Sequence, residues 1–131
     1  MGSQVRSTRI PASILIVDDQ LELLAFTGAF LTECGYTVSW APNAAEALNI
    51  LESKRRIDIL LTDIVMPGGI DGFELARRAK SVHPDLKVVY STGNPDLSPD
   101  QIGQTFGPLL RKPYQNSRLT AVLEYMERHT T

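Results

Sequence analysis

Five polar side chains stand at the ends of short apolar runs in this chain: Asp18, Asp19, Asp63, Ser91 and Lys112. Buried parallel strands end in this way when their carboxyl ends form a polar site at one edge of the sheet. Three carboxylates, one ammonium group and one hydroxyl at one edge suit a divalent cation together with a phosphoryl group. One of the carboxylates would then be the nucleophile. The sequence therefore predicts the phosphorylation of an aspartate.

The elements that would position these groups alternate along the chain. Apolar runs predict strands at 14–17, 36–40, 57–62, 86–90 and 109–110, of which 36–40 is typical of an edge strand. Helical patterns occupy 20–33, a stretch that begins after Asn43, 73–82 and 116–128, and Ser98-Pro99 could start a further short helix. Strict alternation predicts an α/β fold with a doubly wound, five-stranded parallel sheet and helices on both faces.

The first predicted helix has a broad apolar face. We expect a buried face at Leu23, Phe26, Thr27 and Phe30, widened by Leu24 and Leu31. The single cysteine, Cys34, lies near the end of this helix, where we expect it to be a small core residue. One cysteine cannot form an internal disulfide, which favours a reducing, cytoplasmic location.

Length and composition limit the classes of function. The chain has 131 residues, 43% of them hydrophobic and 21% charged, which predicts one domain at 12–131 after a tail at 1–11 that is disordered or left over from cloning. No run reaches the ~18 apolar residues of a membrane span. A net charge of −2 argues against a nucleic-acid partner.

The motifs taken together resemble the receiver domain of two-component response regulators, over nearly the whole chain. They are the run 14–17 with Asp18-Asp19, then Asp63 with Met66-Pro67, Asp71-Gly72, Ser91 and Lys112-Pro113. A finer resemblance, to the receivers of hybrid sensor histidine kinases, is carried by Ser91-Thr92-Gly93 and by the glycine turn after Met66. The resemblance implies a flavodoxin-like strand order, 2-1-3-4-5.

The resemblance also implies a role for each site residue. Asp63 matches the phospho-acceptor, Ser91 the switch hydroxyl and Lys112 the phosphate-binding lysine. Asp19 matches the direct Mg²⁺ ligand and Asp18 the carboxylate that acts largely through water. The backbone carbonyl of Val65 would complete the metal site, and the Lys112–Pro113 bond is a candidate cis peptide.

The function implied is a signalling domain rather than an enzyme. It would take a phosphoryl group from phosphohistidine on a histidine kinase or a histidine phosphotransfer protein, with Mg²⁺, and signal by a conformational change. It would assist its own phosphorylation and its slow autodephosphorylation. We expect a monomer with no membrane contact, either standing alone or belonging to a longer hybrid kinase.

Two departures from the family pattern bear on signalling. Leu109 stands where the family usually has an aromatic residue, so we expect activation to reorganise Ser91 and the segment 92–107 instead. The turn from Pro67 to Gly72 is one residue longer than the compact form of the motif and contains two glycines.

Two other functions fit parts of the pattern. A phosphohydrolase with an aspartyl-phosphate intermediate would need a second aspartate two residues after the nucleophile, where this chain has Val65. A receiver-like scaffold that is never phosphorylated would have no need of all the acidic and basic groups. Uptake of phosphate by Asp63 separates the receiver from the scaffold, and multiple turnover identifies the phosphatase.

Overall fold

The computed structural model describes residues 11–66, 68–93 and 106–128 of the chain. Over these residues it contains five strands and four helices, which alternate up to the fourth strand, and the fifth strand is the next described element. The strands are β1 (Ser13–Val17), β2 (Thr37–Ala41), β3 (Ile59–Asp63), β4 (Lys87–Thr92) and β5 (Leu109–Arg111). The helices are α1 (Leu21–Glu33), α2 (Ala44–Glu52), α3 (Gly72–Val82) and α4 (Asn116–Arg128).

The five strands form one parallel sheet in the order β2-β1-β3-β4-β5. This confirms the predicted fold and places β2 at an edge. Two strand bounds differ from the predicted ones in a way that matters for the site. Asp63 is itself the last residue of β3, and Ser91 lies inside β4, paired in register with Asp63.

The core has two layers, one on each face of the sheet. Alternate strand residues such as Leu15, Leu60 and Tyr90 pack against α2 and α3, and their neighbours Ile14, Leu61 and Val89 pack against α1 and α4. Both faces are covered, so the inner strands β1, β3 and β4 are mainly apolar. Each large apolar side chain buried in this way contributes about 1.5–3 kcal/mol. The sheet therefore holds its polar carboxyl edge on a rigid support.

Side-chain caps fix where two of the helices begin. The Asn43 carboxamide accepts a hydrogen bond from the Glu46 amide at 2.8 Å, as the sequence predicts for the start of α2. Asp71 accepts one from the Glu74 amide at 2.9 Å at the start of α3. Such caps satisfy backbone donors that the first helical turn leaves unpaired. The Asp71 cap fixes the start of α3 directly after the turn that follows Asp63.

The predicted buried face of α1 is confirmed at Leu24, Thr27 and Leu31 and is wrong at Phe26. Leu24, Thr27, Gly28 and Leu31 are the buried residues, and Phe26 is 64% exposed. Gly28 lies on the face of α1 towards β2, and a Cβ there would be 3.7 Å from the Val38 side chain, an ordinary contact distance. With Leu24, Thr27 and Leu31 turned to the core, Phe26 is turned towards solvent.

The expectation that Cys34 is a core residue is also wrong, because the cysteine is exposed. It follows the last residue of α1, and its amide donates to the carbonyls of Phe30 and Leu31. Gly35 then turns the chain with a positive φ of 102°. The C-terminal position, not the apolar pattern of the helix, decides the exposure of Cys34.

Several predictions fall outside the described residues: the tail up to residue 10, the short helix at Ser98-Pro99 and most of the segment 92–107. Among the helices that are described, none combines the length and apolar character required to cross a membrane.

We predict that Gly72→Ala destabilises the fold because α3 starts against the backbone of β3. A Cβ at this position would overlap the Asp63 carbonyl oxygen and lie 2.8 Å from Ile64 Cα. The free energy of unfolding should fall by about 1–3 kcal/mol, which urea denaturation measures. Gly93→Ala is the matched control, since a Cβ there meets nothing within 4 Å. Equal stability of the two variants would contradict the prediction.

Candidate functional site

Three carboxylates predicted from the sequence meet at the carboxyl edge of the sheet. Oxygen atoms of Asp18, Asp19 and Asp63 lie within 4.8 Å of one another. They come together because β1 and β3 are adjacent and parallel, with Val17 opposite Thr62. Asp18 and Asp63 are buried, with Asp63 only 7% exposed, whereas Asp19 faces solvent. We call these three residues the acidic pocket.

Lys112 reaches the acidic pocket from beyond β5. Its Nζ donates to Asp18 Oδ2 at 2.6 Å and to Asp63 Oδ2 at 3.2 Å. The predicted cis bond at Lys112–Pro113 is confirmed, and the Lys112 amide donates to the Thr92 carbonyl at 2.8 Å. The backbone of Lys112 is thus tied to the end of β4, and its ammonium group is tied to two carboxylates of the pocket.

Asp18 has both of its oxygens engaged. Oδ2 accepts from Lys112, and Oδ1 accepts from the Gln20 amide at 2.9 Å. The second bond orders the turn between β1 and α1. Asp19 is the exposed member of the pocket, so its carboxylate is more accessible than that of Asp18 to a cation arriving from solvent.

Burial raises the pKa of Asp63, and this effect is opposed mainly by the attraction of Lys112. The negative charges of Asp18 and Asp19 raise it further. Burial alone would lower the pKa of Lys112, but the bonds and charges of Asp18 and Asp63 outweigh it and raise that pKa. Lys112 therefore stays positively charged, whereas the charged form of Asp63 is destabilised by its surroundings.

Ser91 lies beside the acceptor candidate on the same face of the sheet. It is opposite Asp63 in the β3–β4 register and opposite Leu110 in the β4–β5 register, and it is 3% exposed. Because side chains alternate along a strand, its neighbours Tyr90 and Thr92 belong to the other face. Ser91 is thus the β4 hydroxyl on the face of Asp63.

The turn that follows Asp63 in the chain contains two glycines and is closed by a backbone hydrogen bond. Val65 follows Asp63 by two residues and is largely exposed, and its role as a carbonyl ligand stays a prediction. Gly68 and Gly69 have positive φ angles of 98° and 111°, which other residues rarely adopt. The Gly72 amide then donates to the Ile64 carbonyl at 2.7 Å, which closes the turn onto the pocket.

Sequence reasoning missed a cavity beside the pocket. Its volume is about 380 Å³, and its walls are Gln20, Leu23, Lys112, Pro113 and Tyr114. A second groove of about 840 Å³ continues along α1 past Leu21 and Phe26. Tyr114 is the residue after the proline of the motif, and burial raises its pKa while a hydrogen bond with Thr27 opposes the rise. Because Phe26 was expected in the core, the sequence did not predict this apolar surface next to Lys112.

The chain belongs to the response regulator receiver domain family, whose model matches residues 14–124. It is 37% identical to the response regulator receiver protein CpdR of Brucella abortus over 86% of this chain and 94% of that protein. It is 36% identical to the sensor kinase CckA of the same organism over 63% of this chain but only 9% of the kinase. Receivers of this kind thus occur both alone and within larger proteins.

Solved structures support the fold as well. The response regulator TrrA of Thermotoga maritima, solved in complex with Mg²⁺ and BeF, is 27% identical with a TM-score of 0.78, covering 88% of this chain and 98% of that one. The sheet, the acidic pocket and the family agree in making this chain a receiver domain of two-component signal transduction.

We predict that Asp63→Asn stabilises the metal-free fold at neutral pH. Asparagine keeps the shape but removes a buried charge beside two other carboxylates, so the free energy of unfolding should rise by about 1 kcal/mol. The folded-state pKa of Asp63 lies above its unfolded value, so the charged form is the less stable one in the fold. The gain should be full above the folded pKa and disappear as the pH falls below the unfolded value.

Urea denaturation from pH 7 to pH 3 with a chelator present measures this pH dependence. Asp85→Asn, at a position outside the acidic pocket, is the control and should change little. A loss of stability in Asp63→Asn at pH 7 would show instead that the ion pair with Lys112 outweighs the burial of Asp63.

Proposed function

We propose that this domain accepts a phosphoryl group on Asp63 from phosphohistidine of a histidine kinase or a histidine phosphotransfer protein. A carboxylate oxygen of Asp63 attacks phosphorus, and the P–N bond of phosphohistidine breaks. The electron pair of that bond stays on the imidazole nitrogen, which then takes up a proton. The observation that carries the proposal is the bridge from Lys112 to Asp18 and Asp63 inside a pocket of three carboxylates.

The residues around Asp63 suit this chemistry. The ammonium group of Lys112 is 3.2 Å from Asp63 Oδ2 and would pair with a phosphoryl oxygen once one is attached there. Ser91 is paired with Asp63 in the sheet, from where its hydroxyl would donate to a second phosphoryl oxygen. Both groups would act on the added charge, and they make Asp63 the best supported acceptor among the three carboxylates.

The donor set of the pocket fits Mg²⁺. Hard divalent cations prefer oxygen ligands, and three carboxylates within 4.8 Å supply them. When bound, the ion would neutralise charge on the transferring phosphoryl group. Asp19 and Asp63 would be direct ligands with the Val65 carbonyl, and Asp18 would act through water because Lys112 and Gln20 already occupy its oxygens. The structure of the relative TrrA with Mg²⁺ and BeF supports Mg²⁺ as the ion.

The phosphodonor would dock beside the pocket on the apolar surface of α1. Leu21 and Phe26 are more than half exposed there, and the cavity lined by Leu23 and Tyr114 opens next to Lys112. A donor protein that presents a histidine to Asp63 must cover this rim. The similarity to part of the sensor kinase CckA supports a kinase-linked partner.

The domain would extend over residues 12–131 and signal by changing shape, with autodephosphorylation slow and single-cycle. The phosphohydrolase alternative is weaker because an exposed valine, Val65, stands where that chemistry needs an acid. The pseudo-receiver scaffold is weaker because Lys112 contacts the acidic pocket in the arrangement that phosphate binding requires.

We predict that Asp63 gains one phosphate when the chain is incubated with Mg²⁺ and acetyl phosphate, as intact mass measures. Asp63→Asn should abolish the gain because it removes the nucleophilic carboxylate. Asp71→Asn is the matched control, since asparagine caps a helix about as well as aspartate, and it should label like the unmodified chain. Labelling of Asp63→Asn at the wild-type level would move the acceptor elsewhere.

We also predict that Mg²⁺ affinity depends more on Asp19 and Asp63 than on Asp18. At a direct ligand, asparagine replaces a charged oxygen by a weaker neutral one, whereas Asp18 is committed to Lys112 and Gln20. Titration of Asp18→Asn, Asp19→Asn and Asp63→Asn by calorimetry should give about tenfold weaker binding for the last two and a smaller change for the first. Equal weakening in all three variants would remove the distinction.

A further inference from the structure

A buried tyrosine, Tyr90, lies between the acidic pocket and the start of β5. Tyr90 precedes Ser91 on β4, and its side chain is completely buried on the face of the sheet opposite to Ser91. Its hydroxyl accepts a hydrogen bond from the Phe106 amide at 3.2 Å. A phenol that fills the core and also holds a backbone amide cannot move without moving both.

On one side, Tyr90 contacts the element that follows the acceptor. The rings of Phe73 and Tyr90 have centroids 5.4 Å apart. Phe73 comes directly after Gly72, whose amide is bonded to Ile64 and whose Cα packs against the backbone of Asp63. A displacement of the Asp63 backbone or of Ser91 therefore reaches the Tyr90 ring through one or two contacts.

On the other side, Tyr90 holds the chain that enters β5. The Pro108 carbonyl accepts from the Tyr90 amide at 2.9 Å, and Gly107 packs so closely on the Val88 carbonyl group that a Cβ would overlap it. The Phe106 ring is about half exposed, and Lys80 Nζ lies 5.9 Å from its centroid. The same ammonium group donates to the carbonyls of Pro84 and Leu86 just before β4.

We propose that Tyr90 couples the state of the acceptor pocket to the surface formed by Phe106 and Lys80. The contacts run from Asp63 through Gly72 and Phe73 to the Tyr90 ring, and from the Tyr90 hydroxyl to the Phe106 amide. The coupling rests on the proposed phosphorylation of Asp63 and adds the route by which its effect leaves the pocket. Tyr90 is a positioning residue, since it touches no reacting atom.

Two features of this chain make Tyr90 suited to the coupling. Leu109 lies opposite Tyr90 in the β4–β5 register and packs against the same core, so an aliphatic side chain adjoins the tyrosine ring there. The Tyr90 hydroxyl accepts from the Phe106 amide, so one side chain joins the packed core to the backbone before β5. The response then depends on packing and one hydrogen bond.

Tyr90→Phe tests the coupling because it keeps the ring and removes the hydroxyl. Residue-resolved amide exchange is measured by NMR with and without beryllofluoride and Mg²⁺, alongside labelling of Asp63 by intact mass. In the unmodified chain we expect beryllofluoride to change exchange of the Phe106 amide severalfold. In Tyr90→Phe this amide should exchange about fivefold faster without the ligand. The change on adding beryllofluoride should vanish, while Asp63 labelling stays at the wild-type level.

Tyr36→Phe is the matched control, since it removes a tyrosine hydroxyl bonded to Glu127 at 2.6 Å in a different part of the fold. It should leave the Phe106 response intact. Phe73→Leu provides a second test if Tyr90→Phe folds poorly in urea denaturation. It keeps the Tyr90 hydroxyl but removes the ring contact, so the Phe106 amide should stay protected and lose its response.

The outcomes separate this inference from the proposed function. An unmodified chain that labels Asp63 but shows no change at Phe106 overturns the coupling alone, as does a wild-type response in Tyr90→Phe or in Phe73→Leu. An unmodified chain that takes up no phosphate at Asp63 overturns the proposed function, and the coupling with it.

Discussion

The geometry of the site depends on Lys112, whose ammonium group contacts the two buried carboxylates of Asp18 and Asp63. Three acidic groups within 4.8 Å repel one another, and the ammonium group at 2.6 Å and 3.2 Å offsets much of that repulsion. Lys112 follows β5 at the edge of the sheet, yet it contacts Asp18 after β1 and Asp63 in β3. These contacts form only when β1, β3, β4 and β5 lie in their observed order and register. The ammonium charge of Lys112, which reduces the repulsion among the three carboxylates, is also the charge that would pair with a phosphoryl group.

The topology and most of the site could be predicted from the sequence because both follow from short, mainly apolar runs. A strand covered on both faces stays mainly apolar until it nears its end, so a charged residue after such a run indicates the carboxyl edge. The sequence predicts Asp18, Asp63 and Lys112 in this way. Ser91 was recognisable too, although it lies within β4 rather than after it, since β4 extends to Thr92.

The rotation of α1 could not be predicted, and its physical reason is particular to this helix. Leucines and phenylalanines occupy so much of its circumference that more than one face looks buried. The helix turns Leu24, Thr27 and Leu31 to the core and leaves Phe26 at the surface beside Leu21. Gly28 is also on the buried face, and a glycine adds nothing to an apolar pattern, so the pattern does not contain the rotation.

The alternation of β4 explains how one strand can serve two tasks. Ser91 faces the side of the sheet that contains Asp63, and Tyr90 faces the core under α3, so the two side chains share a backbone but no environment. Under the proposed function, a shift that draws Ser91 towards an added phosphoryl group would also move Tyr90. Its ring lies among close-packed neighbours that allow discrete rearrangements more readily than gradual ones. Leu109 rather than an aromatic residue lies opposite, so in the proposed coupling the bulk and the hydroxyl belong to Tyr90 on β4 itself.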